Sequence, residues 1–207
     1  MKTLLIVVVL VLIAWSVWGY LSSNVEQARY TVLRKADGYE VRDYPAHIVA
    51  QTVVQGSYDQ ALNAGFRIIA GYIFGGNAKK TGIAMTAPVT EQSAASEKIA
   101  MTAPVLATTG GDSHVISFGM PSSYTLATLP TPNDSRISLV EVPDMKMAVL
   151  RFSWFRTDAR VKSKEAALLT ALLRDKVQVV GTPTYAGYNA PWTPPWMSRN
   201  EVLVQIQ

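Results

Sequence analysis

The sequence contains no cysteine and only two histidines, His47 and His114, among its 207 residues. Without thiols there can be no disulfide bond, no cysteine nucleophile and no thiolate ligand for a metal or for heme iron. Two histidines are also too few for a zinc site that is built on several imidazole ligands. Because the chain shows no serine nucleophile elbow either, we predict that it is not an enzyme.

Charged residues are sparse and only mildly basic, with 19 Lys and Arg against 15 Asp and Glu. The basic residues are scattered and form no dense stripe, so we do not expect a nucleic acid as a partner. The adjacent Lys79 and Lys80 form a small basic pair that could meet a carboxylate or phosphate of a ligand. A solvated turn is the alternative interpretation of this pair.

Residues 4–21 form a long apolar run at the start of the sequence. As a helix these residues span about 27 Å, close to the thickness of the hydrocarbon core of a bilayer. Lys2 precedes the run, and Trp15, Trp18 and Tyr20 lie near its far end, where membrane helices carry their aromatic residues. We therefore predict that this segment contacts a membrane.

Two fates of the N-terminal segment are open from the sequence. No clean Ala-x-Ala cleavage pattern follows the apolar run, which favours a signal anchor over a cleaved signal peptide for residues 1–24. Lys2 should stay on the inner side, so residues 25–207 are expected as a membrane-anchored domain on the periplasmic or extracytoplasmic side. If the segment is cleaved, the domain is secreted or periplasmic.

Short alternating strands are predicted after residue 29. Strand-like segments at residues 30–36 and 39–44 flank Asp37-Gly38, a strong signal for a two-residue hairpin turn. Residues 46–54 are rich in β-formers and are predicted as the next strand.

Two helices are predicted from capping residues and apolar spacing. Ser57 and Gln60 form a capping pair at the start of the first helix, and Gly75-Gly76 stops it. Its apolar face carries Leu62, Phe66, Ile69 and Ile73. A second helix is predicted over residues 158–176, with one face formed by Val161, Leu168 and Leu172.

Two internal repeats organise the domain. Residues 83–89 and 99–105 share the sequence Ile-Ala-Met-Thr-Ala-Pro-Val, and in a strand the Ile, Met, Ala and Val of each copy lie on one face. Residues 137–143 parallel residues 39–45, and a strand and a helix follow each copy. We therefore predict two similar strand–strand–helix–strand units in one sheet with both helices on one face. The groove between such halves is the expected ligand site.

Together these stretches resemble the SOUL family of heme-binding proteins. The matching segments follow the family order and cover nearly the whole chain after residue 29: residues 39–45, both copies of the seven-residue repeat, 115–121, 148–152, 188–196 and 199–202. The resemblance implies an α+β fold in which duplicated βαββ units form an antiparallel sheet or distorted barrel with two main helices, similar to the effector-binding domains of some bacterial regulators. It also implies non-catalytic binding of heme or a related tetrapyrrole in an apolar groove, as in a carrier, buffer or sensor.

Asp43 departs from the pattern of the family. Some heme-binding members carry histidine at this slot of the Tyr-Glu-x-Arg-x-Tyr motif as a proposed iron ligand, and aspartate is a poor axial ligand for heme iron. Axial histidine ligation at this slot is therefore excluded, although other members bind heme mainly through hydrophobic contact. Two alternatives stay open: the binding of another amphipathic small molecule and, as a minor one, a hydrolase activity that uses an acid such as Glu141.

The candidate cofactor-binding residues follow from the resemblance and from their chemistry. His47 is the candidate iron ligand because neutral imidazole suits iron, and a partly exposed strand histidine is the alternative. Met85 and Met101 of the repeat could ligate iron or pack in the core. The remaining candidates are Phe66, Ile69 and Ile73 as contacts of a flat ring, Arg67 and Lys79 as partners of heme propionates, and Trp192 as a pocket wall or a staple of the C-terminal loop.

Overall fold

The computed structural model describes residues 1–21, 26–79, 96–110, 113–189 and 192–207. The helices within these residues are α1 (Lys2–Leu21), α2 (Tyr58–Ile73) and α3 (Asp158–Arg174), and a 3-10 turn covers Pro195–Met197. The strands are β1 (Glu26–Gln27), β2 (Thr31–Ala36), β3 (Tyr39–Tyr44), β4 (His47–Gln55), β5 (Asn77–Ala78), β6 (Thr102–Ala103), β7 (Val105–Gly110), β8 (Ser113–Gly119), β9 (Thr131–Pro132), β10 (Ser138–Val142), β11 (Met145–Phe152), β12 (Val179–Gly187) and β13 (Asn200–Ile206).

Nine of these strands form one antiparallel sheet in the order β10-β4-β8-β7-β12-β13-β11-β3-β2. Strands β10 and β2 are its two edges, so the sheet formed by the described residues is open and does not close into a barrel. Two short strand pairs, β1–β6 and β5–β9, lie outside it. The predicted α+β fold is therefore confirmed, as a large antiparallel sheet rather than as a barrel.

The predicted duplication is visible in the order of the elements. Strand β4, helix α2 and strands β7 and β8 form one half, and β11, α3, β12 and β13 repeat this order in the other half. The halves meet where β7 pairs with β12, with Thr108 opposite Thr184. Ala50 and Ala148, which occupy matching positions in the two halves, are both fully buried.

Helices α2 and α3 pack on the same face of the sheet and share one hydrophobic core. At the start of α2, the backbone N–H and the hydroxyl of Ser57 both donate to Oε1 of Gln60, at 3.4 and 2.9 Å. Gly75, with a φ of 115°, follows the last turn of this helix in a conformation that favours glycine. The helical members of the core recur at helical spacing and include Ile69, Ile73, Val161, Leu168 and Leu172.

A second, smaller cluster covers the opposite face of the sheet. Successive residues of a strand point to opposite faces, so Ala148 joins the helix-side core and Val149 joins the second cluster. Strand β13 alternates in the same way, with Val202 and Val204 on the helix side and Leu203 on the other. This alternation assigns the neighbouring polar residues of β13 to different faces as well.

The second copy of the seven-residue repeat is divided between two strands. Only Thr102 and Ala103 form a strand, and pairing in the main sheet begins at Val105. Pro104 lies between them and has no N–H to donate to a ladder, which interrupts the strand. The first copy, residues 83–89, lies outside the described residues.

Helix α1 is apolar on all sides, and almost all of its surface is exposed. Its span Lys2–Tyr20 is long and apolar enough to cross a membrane. The helix adds no residue to either hydrophobic cluster of the domain.

Candidate ligand-binding groove

An apolar groove of about 360 Å³ lies at the junction of the two halves, on the helix side of the sheet. Helix α2 contributes Leu62 and Phe66 to its walls, and β12 contributes Tyr185. Two loops complete the walls: residues 154–156, which follow β11, and residues 193–198, which precede β13. We call this site the aromatic groove. Its volume lies within the range of small-molecule pockets.

Trp154 is held at the groove in an unusual backbone conformation. Its φ of 87° lies in the left-handed region, which costs a residue with a side chain about 1–2 kcal/mol. Its N–H donates to the carbonyl of Pro195 at 2.9 Å, and its own carbonyl accepts from Ser198 Oγ at 3.0 Å and Asn200 Nδ2 at 3.1 Å. These three hydrogen bonds fasten the loop of Trp154 and Phe155 to the C-terminal loop.

Tyr185 and Asn200 place a fixed polar pair in the groove. The hydroxyl of Tyr185 donates to Asn200 Oδ1 at 2.6 Å, so the amide nitrogen of Asn200 is turned toward Trp154. Burial raises the pKa of Tyr185 to about 12. The hydroxyl therefore stays protonated at neutral pH and keeps its role as a donor.

Arg156 supplies positive charge to the wall of the groove. Its Nη1 lies 2.9 Å from Oδ1 of the exposed Asp59, and its guanidinium lies 5.7 and 5.9 Å from the ring centroids of Tyr58 and Tyr185. An exposed ion pair contributes only about 0–1 kcal/mol. Arg156 can therefore exchange Asp59 for a ligand carboxylate at little cost, while the aromatic rings hold the guanidinium in place.

Thr193 places an unpaired hydroxyl in the wall of the groove. Its Oγ1 is buried and has no hydrogen-bond partner. A buried hydroxyl without a partner costs about 1–3 kcal/mol, and a polar ligand atom at this point would recover part of that cost. The groove thus offers both apolar walls and an unmet polar contact.

A charged cluster lies on the opposite face of β13, around Glu201. Arg42 Nη1 and Arg199 Nη2 each lie 2.9 Å from a carboxylate oxygen of Glu201, and the Tyr188 hydroxyl donates to the same carboxylate at 2.7 Å. Burial alone would lower the pKa of Arg42, but its hydrogen bonds to Glu201 and Tyr44 raise it above its usual value. Glu40 lies 2.8 Å from Arg42 and supplies the second negative charge, so the two arginines and the two carboxylates of this cluster neutralise one another.

A second cavity of about 500 Å³ lies at the start of β4 and contains His47. We call it the His47 cavity. His47 Nδ1 lies 2.9 Å from the carbonyl of Pro45, which can only accept, so Nδ1 carries the proton and Nε2 holds the lone pair of a neutral ring. Charged residues, among them Arg29 and Glu141, line this cavity. Within the described part of the chain, no three His, Asp or Glu side chains are grouped to hold a metal ion.

The structure separates the predicted ring contacts from the predicted iron ligands. Phe66 lies in the aromatic groove, whereas His47 lies in the other cavity. Ile69 and Ile73 have no accessible surface and belong to the helix-side core. Met85 lies outside the described residues. Of the four candidates among these that the structure describes, it brings only Phe66 to the groove between the halves.

The predicted propionate partners and the remaining candidates lie at the surface or outside both cavities. Arg67 is exposed on α2, and Lys79 is exposed with its Nζ 3.6 Å from a carboxylate oxygen of Glu97. Met101 is half-buried and lines neither cavity. Trp192 is exposed, and its carbonyl accepts a hydrogen bond from α1.

The most informative groove residues were not among the sequence candidates. Trp154, Phe155 and Arg156 lie in a short loop, and Tyr185 and Thr193 come from the C-terminal part of the chain. Two adjacent large aromatic residues between a strand and a capped helix, in the run Ser-Trp-Phe-Arg, were the available signal. Adjacent large aromatic side chains that are exposed in a loop are typical of a surface that contacts a ligand or another partner.

Solved structures of other proteins share this architecture. The C-terminal domain of EcmrR matches with a TM-score of 0.56 at 8% identity, over 86% of this chain and 98% of that chain. A hydrolase from Listeria innocua matches with a TM-score of 0.51 at 10% identity, over 89% of this chain and 100% of that chain. Identities this low show a common fold and no common function. The fold thus defines an α+β protein with a large open antiparallel sheet and two helices on one of its faces.

The sequence comparisons define the family within this class. The profile described as SOUL heme-binding protein matches residues 25–205. Heme-binding protein 2 of Homo sapiens is 30% identical over 156 residues, which are 74% of this chain and 71% of that relative. The chain belongs to the SOUL heme-binding protein family.

Proposed function

We propose that the domain binds heme or a related tetrapyrrole in the aromatic groove, without catalysis, as a carrier, buffer or sensor. The observation that carries this proposal is the convergence of Phe66, Trp154, Phe155 and Tyr185 at the junction of the two halves. A macrocycle presents two flat apolar faces, and aromatic side chains pack well against such faces. Membership of the SOUL family and the human relative named Heme-binding protein 2 support the same class of ligand.

The polar groups of the groove suit the carboxylates of a porphyrin. Arg156 can form charge-assisted hydrogen bonds with a propionate once it releases Asp59. Thr193 offers a further donor, because its hydroxyl is unpaired. A ligand with an apolar ring and acidic arms would therefore use both kinds of wall.

Binding in the groove would not depend on iron. Among the residues that the structure describes, those that line the groove include neither histidine nor methionine. The ring and the propionates would then provide the affinity, and a porphyrin without iron should bind about as well as heme. The competing site is the His47 cavity, where the imidazole could ligate iron directly.

A visible-absorption titration with hemin and with iron-free protoporphyrin IX tests the proposal. A fragment of residues 25–207 is suitable because both hydrophobic clusters lie entirely after α1. We expect both compounds to saturate the protein near one equivalent. The exposed Phe155 can be changed without loss of core packing, so Phe155→Ala should weaken both ligands and His47→Ala should weaken neither.

The other outcomes of this titration point elsewhere. Binding of hemin alone, lost in His47→Ala, would move the site to the His47 cavity and make iron ligation the source of affinity. Saturable binding of neither compound would sink the tetrapyrrole proposal. The absence of an iron ligand from the groove lining then favours another amphipathic small molecule as the ligand.

We further propose that α1 anchors the domain in a membrane, with the domain on the periplasmic or extracytoplasmic side. Lys2 is the basic residue next to the apolar span and should remain on the inner side. Because the chain has no cysteine, Leu173→Cys at an exposed position gives a unique thiol on the domain. A membrane-impermeant maleimide should label this thiol in cells with a permeabilised outer envelope. Labelling only after lysis would place the domain inside.

A further inference from the structure

Four exposed aromatic residues lie in the two loops that border the aromatic groove. Trp154, Phe155, Trp192 and Trp196 expose 47, 59, 55 and 43% of their surface. Trp154 and Phe155 line the groove, and the other two lie in the loop whose Pro195 binds the N–H of Trp154. We call these four residues the aromatic rim. Large aromatic side chains exposed together are typical of a surface that meets a partner or a membrane.

The aromatic rim is joined directly to α1. Trp15 Nε1 donates to the carbonyl of Trp192 at 2.8 Å, and the rings of Trp15 and Trp196 meet edge to face with centroids 5.3 Å apart. Gly19 packs so closely on this loop that an added Cβ would stand 2.6 Å from Cδ of Pro194. The last turns of α1 therefore lie against the loop that carries half of the rim.

The position of Trp15 along α1 sets the depth of these contacts. The span Lys2–Tyr20 is about 28 Å long as a helix, nearly the thickness of the hydrocarbon core of a bilayer. Trp15 lies about 7 Å before Tyr20 along the helix axis, and a headgroup layer is about 5–8 Å thick. If Tyr20 lies at the outer edge of the hydrocarbon core, Trp15 lies about 7 Å inside that edge, and its contacts Trp192 and Trp196 reach from the edge of the core into the headgroup layer.

The charge around the rim also suits a lipid surface. Residues 188–198 contain no charged residue, and the charge of Arg199 is bound by Glu201 on the opposite face of the sheet. Residues 154–165, which include the other half of the rim, carry the basic side chains Arg156, Arg160, Lys162 and Lys164 against the acids Asp158 and Glu165. Basic residues beside exposed tryptophans are attracted to acidic headgroups, and tryptophan itself favours the membrane interface.

We propose that the aromatic rim is seated in the interfacial layer of the membrane that α1 spans, between the headgroups and the edge of the hydrocarbon core, so that the aromatic groove opens onto the bilayer. The consequence for the ligand rests on the proposed function. An amphipathic tetrapyrrole dissolved in the bilayer enters the groove past Trp154 and Phe155 without first crossing bulk water. The rim thus makes the membrane the source or the destination of the ligand.

Fluorescence of a single labelled cysteine in the full-length chain tests whether the aromatic rim lies in the membrane. Phe155→Cys places the label in the rim, and Leu173→Cys places it at another exposed apolar position. Leu173 lies about 22 Å along α3 from Asp158, the first residue after the rim loop in that helix. Both variants carry an environment-sensitive fluorophore and are reconstituted in liposomes of phosphatidylcholine and phosphatidylglycerol.

The label at position 155 should show a blue-shifted emission, strong quenching by lipids with a nitroxide near the headgroup, and little quenching by aqueous iodide. The label at position 173 should show the reverse. Equal iodide quenching at both positions would overturn the proposal. Protection at position 155 that disappears as the protein-to-lipid ratio is lowered would assign the rim to contacts between copies of the chain and would overturn it too.

The variant Trp15→Leu tests the contact between the aromatic rim and the membrane independently of ligand binding in the groove. Leucine keeps α1 apolar but removes the hydrogen bond to Trp192 and the ring contact with Trp196, so iodide quenching at position 155 should rise. Uptake of hemin from liposomes should slow several-fold in this variant. Equal rates of hemin uptake in the wild-type protein and in Trp15→Leu would refute the proposal that the ligand enters from the membrane. That result would not contradict hemin binding in the groove. Failure of the wild-type fragment to bind hemin would refute the proposed function, and the quenching result would still decide where the rim lies.

Discussion

The two faces of β13 carry two opposite kinds of site. Glu201 points to one face, where Arg42, Arg199 and Tyr188 bind its carboxylate and leave it no accessible surface. Asn200, the preceding residue, points to the other face and lines the aromatic groove. The polar groups of the charged cluster bind one another and leave no site for a ligand. The groove keeps open volume, exposed rings and an unpaired hydroxyl.

This comparison separates groups that hold the fold from groups that are available to a ligand. A buried acid between two arginines is the kind of feature that often marks an active site. Glu201, however, lines neither cavity, and its oxygens are already bound. The groove contains fewer charged groups, but the rings of Trp154 and Phe155 are exposed, and the Thr193 hydroxyl has no hydrogen-bond partner among the described residues. A ligand can bind only to groups that are available in this way.

Glu201→Gln should give the largest effect, and it acts on the charged cluster alone. The amide removes the negative charge between Arg42 and Arg199, and removing one partner of a buried ion pair costs about 3–5 kcal/mol. Because Glu40 still lies 2.8 Å from Arg42, we expect the free energy of unfolding to fall by about 3 kcal/mol, at the lower end of this range. Urea denaturation of the 25–207 fragment measures the change.

Glu141→Gln is the matched control for this substitution. Glu141 is exposed in β10, so the same chemical change should alter the free energy of unfolding by less than about 0.5 kcal/mol. Similar stability of the two variants would show that the charged cluster does not hold the fold. A Glu201→Gln variant that stayed folded but lost hemin would place the ligand on this face of the sheet.

Trp154→Gly and Trp154→Ala test the groove with a smaller expected effect. Both remove the ring, and loss of one aromatic contact should weaken hemin about tenfold. The two variants should differ in stability, because glycine adopts the φ of 87° freely and alanine does not. We expect the glycine variant to be more stable by about 1–2 kcal/mol. Titration and denaturation of the same samples give both quantities.

Trp196→Ser provides the control for the loss of a ring. Trp196 is similarly exposed but does not line the groove, so its removal should leave hemin affinity of the fragment unchanged. Equal stability of the two Trp154 variants would mean that the residue is not held in the left-handed region. Unchanged hemin affinity in both would remove the Trp154 ring from the binding site.

The fold could be predicted from the sequence because its signals are local. The cap at Ser57 and the buried spacing of α3 depend on residues a few positions apart, and the repeat that relates residues 39–45 to residues 137–143 is visible when the sequence is compared with itself. Pro104, which has no N–H for a strand ladder, is a local signal of the same kind, and it separates strand β6 from strand β7.

The groove could be predicted only in part because its walls come from distant parts of the chain. Phe66 was a candidate, but its neighbours Trp154 and Tyr185 lie about ninety residues or more away in sequence. Ile69 and Ile73 share the apolar face of α2 with Phe66 and yet are fully buried in the core. The spacing of apolar residues identifies the buried face of a helix. Which residues of that face border a groove depends on how the helix packs on the sheet, and this cannot be read from the spacing.

The smallest effects are expected from Thr193→Val and Thr52→Val. Each substitution removes a buried hydroxyl that has no hydrogen-bond partner among the described residues. Valine keeps the branched shape, so each variant should gain about 1 kcal/mol in free energy of unfolding. Only Thr193 lines the groove, whereas Thr52 lies in β4 opposite Ile116. If a polar atom of the ligand meets Thr193, then Thr193→Val alone should bind hemin about fivefold more weakly. Equal hemin affinity in both variants would mean that the ligand does not reach Thr193, and the bound ring would then have to lie toward Trp154 and Phe155.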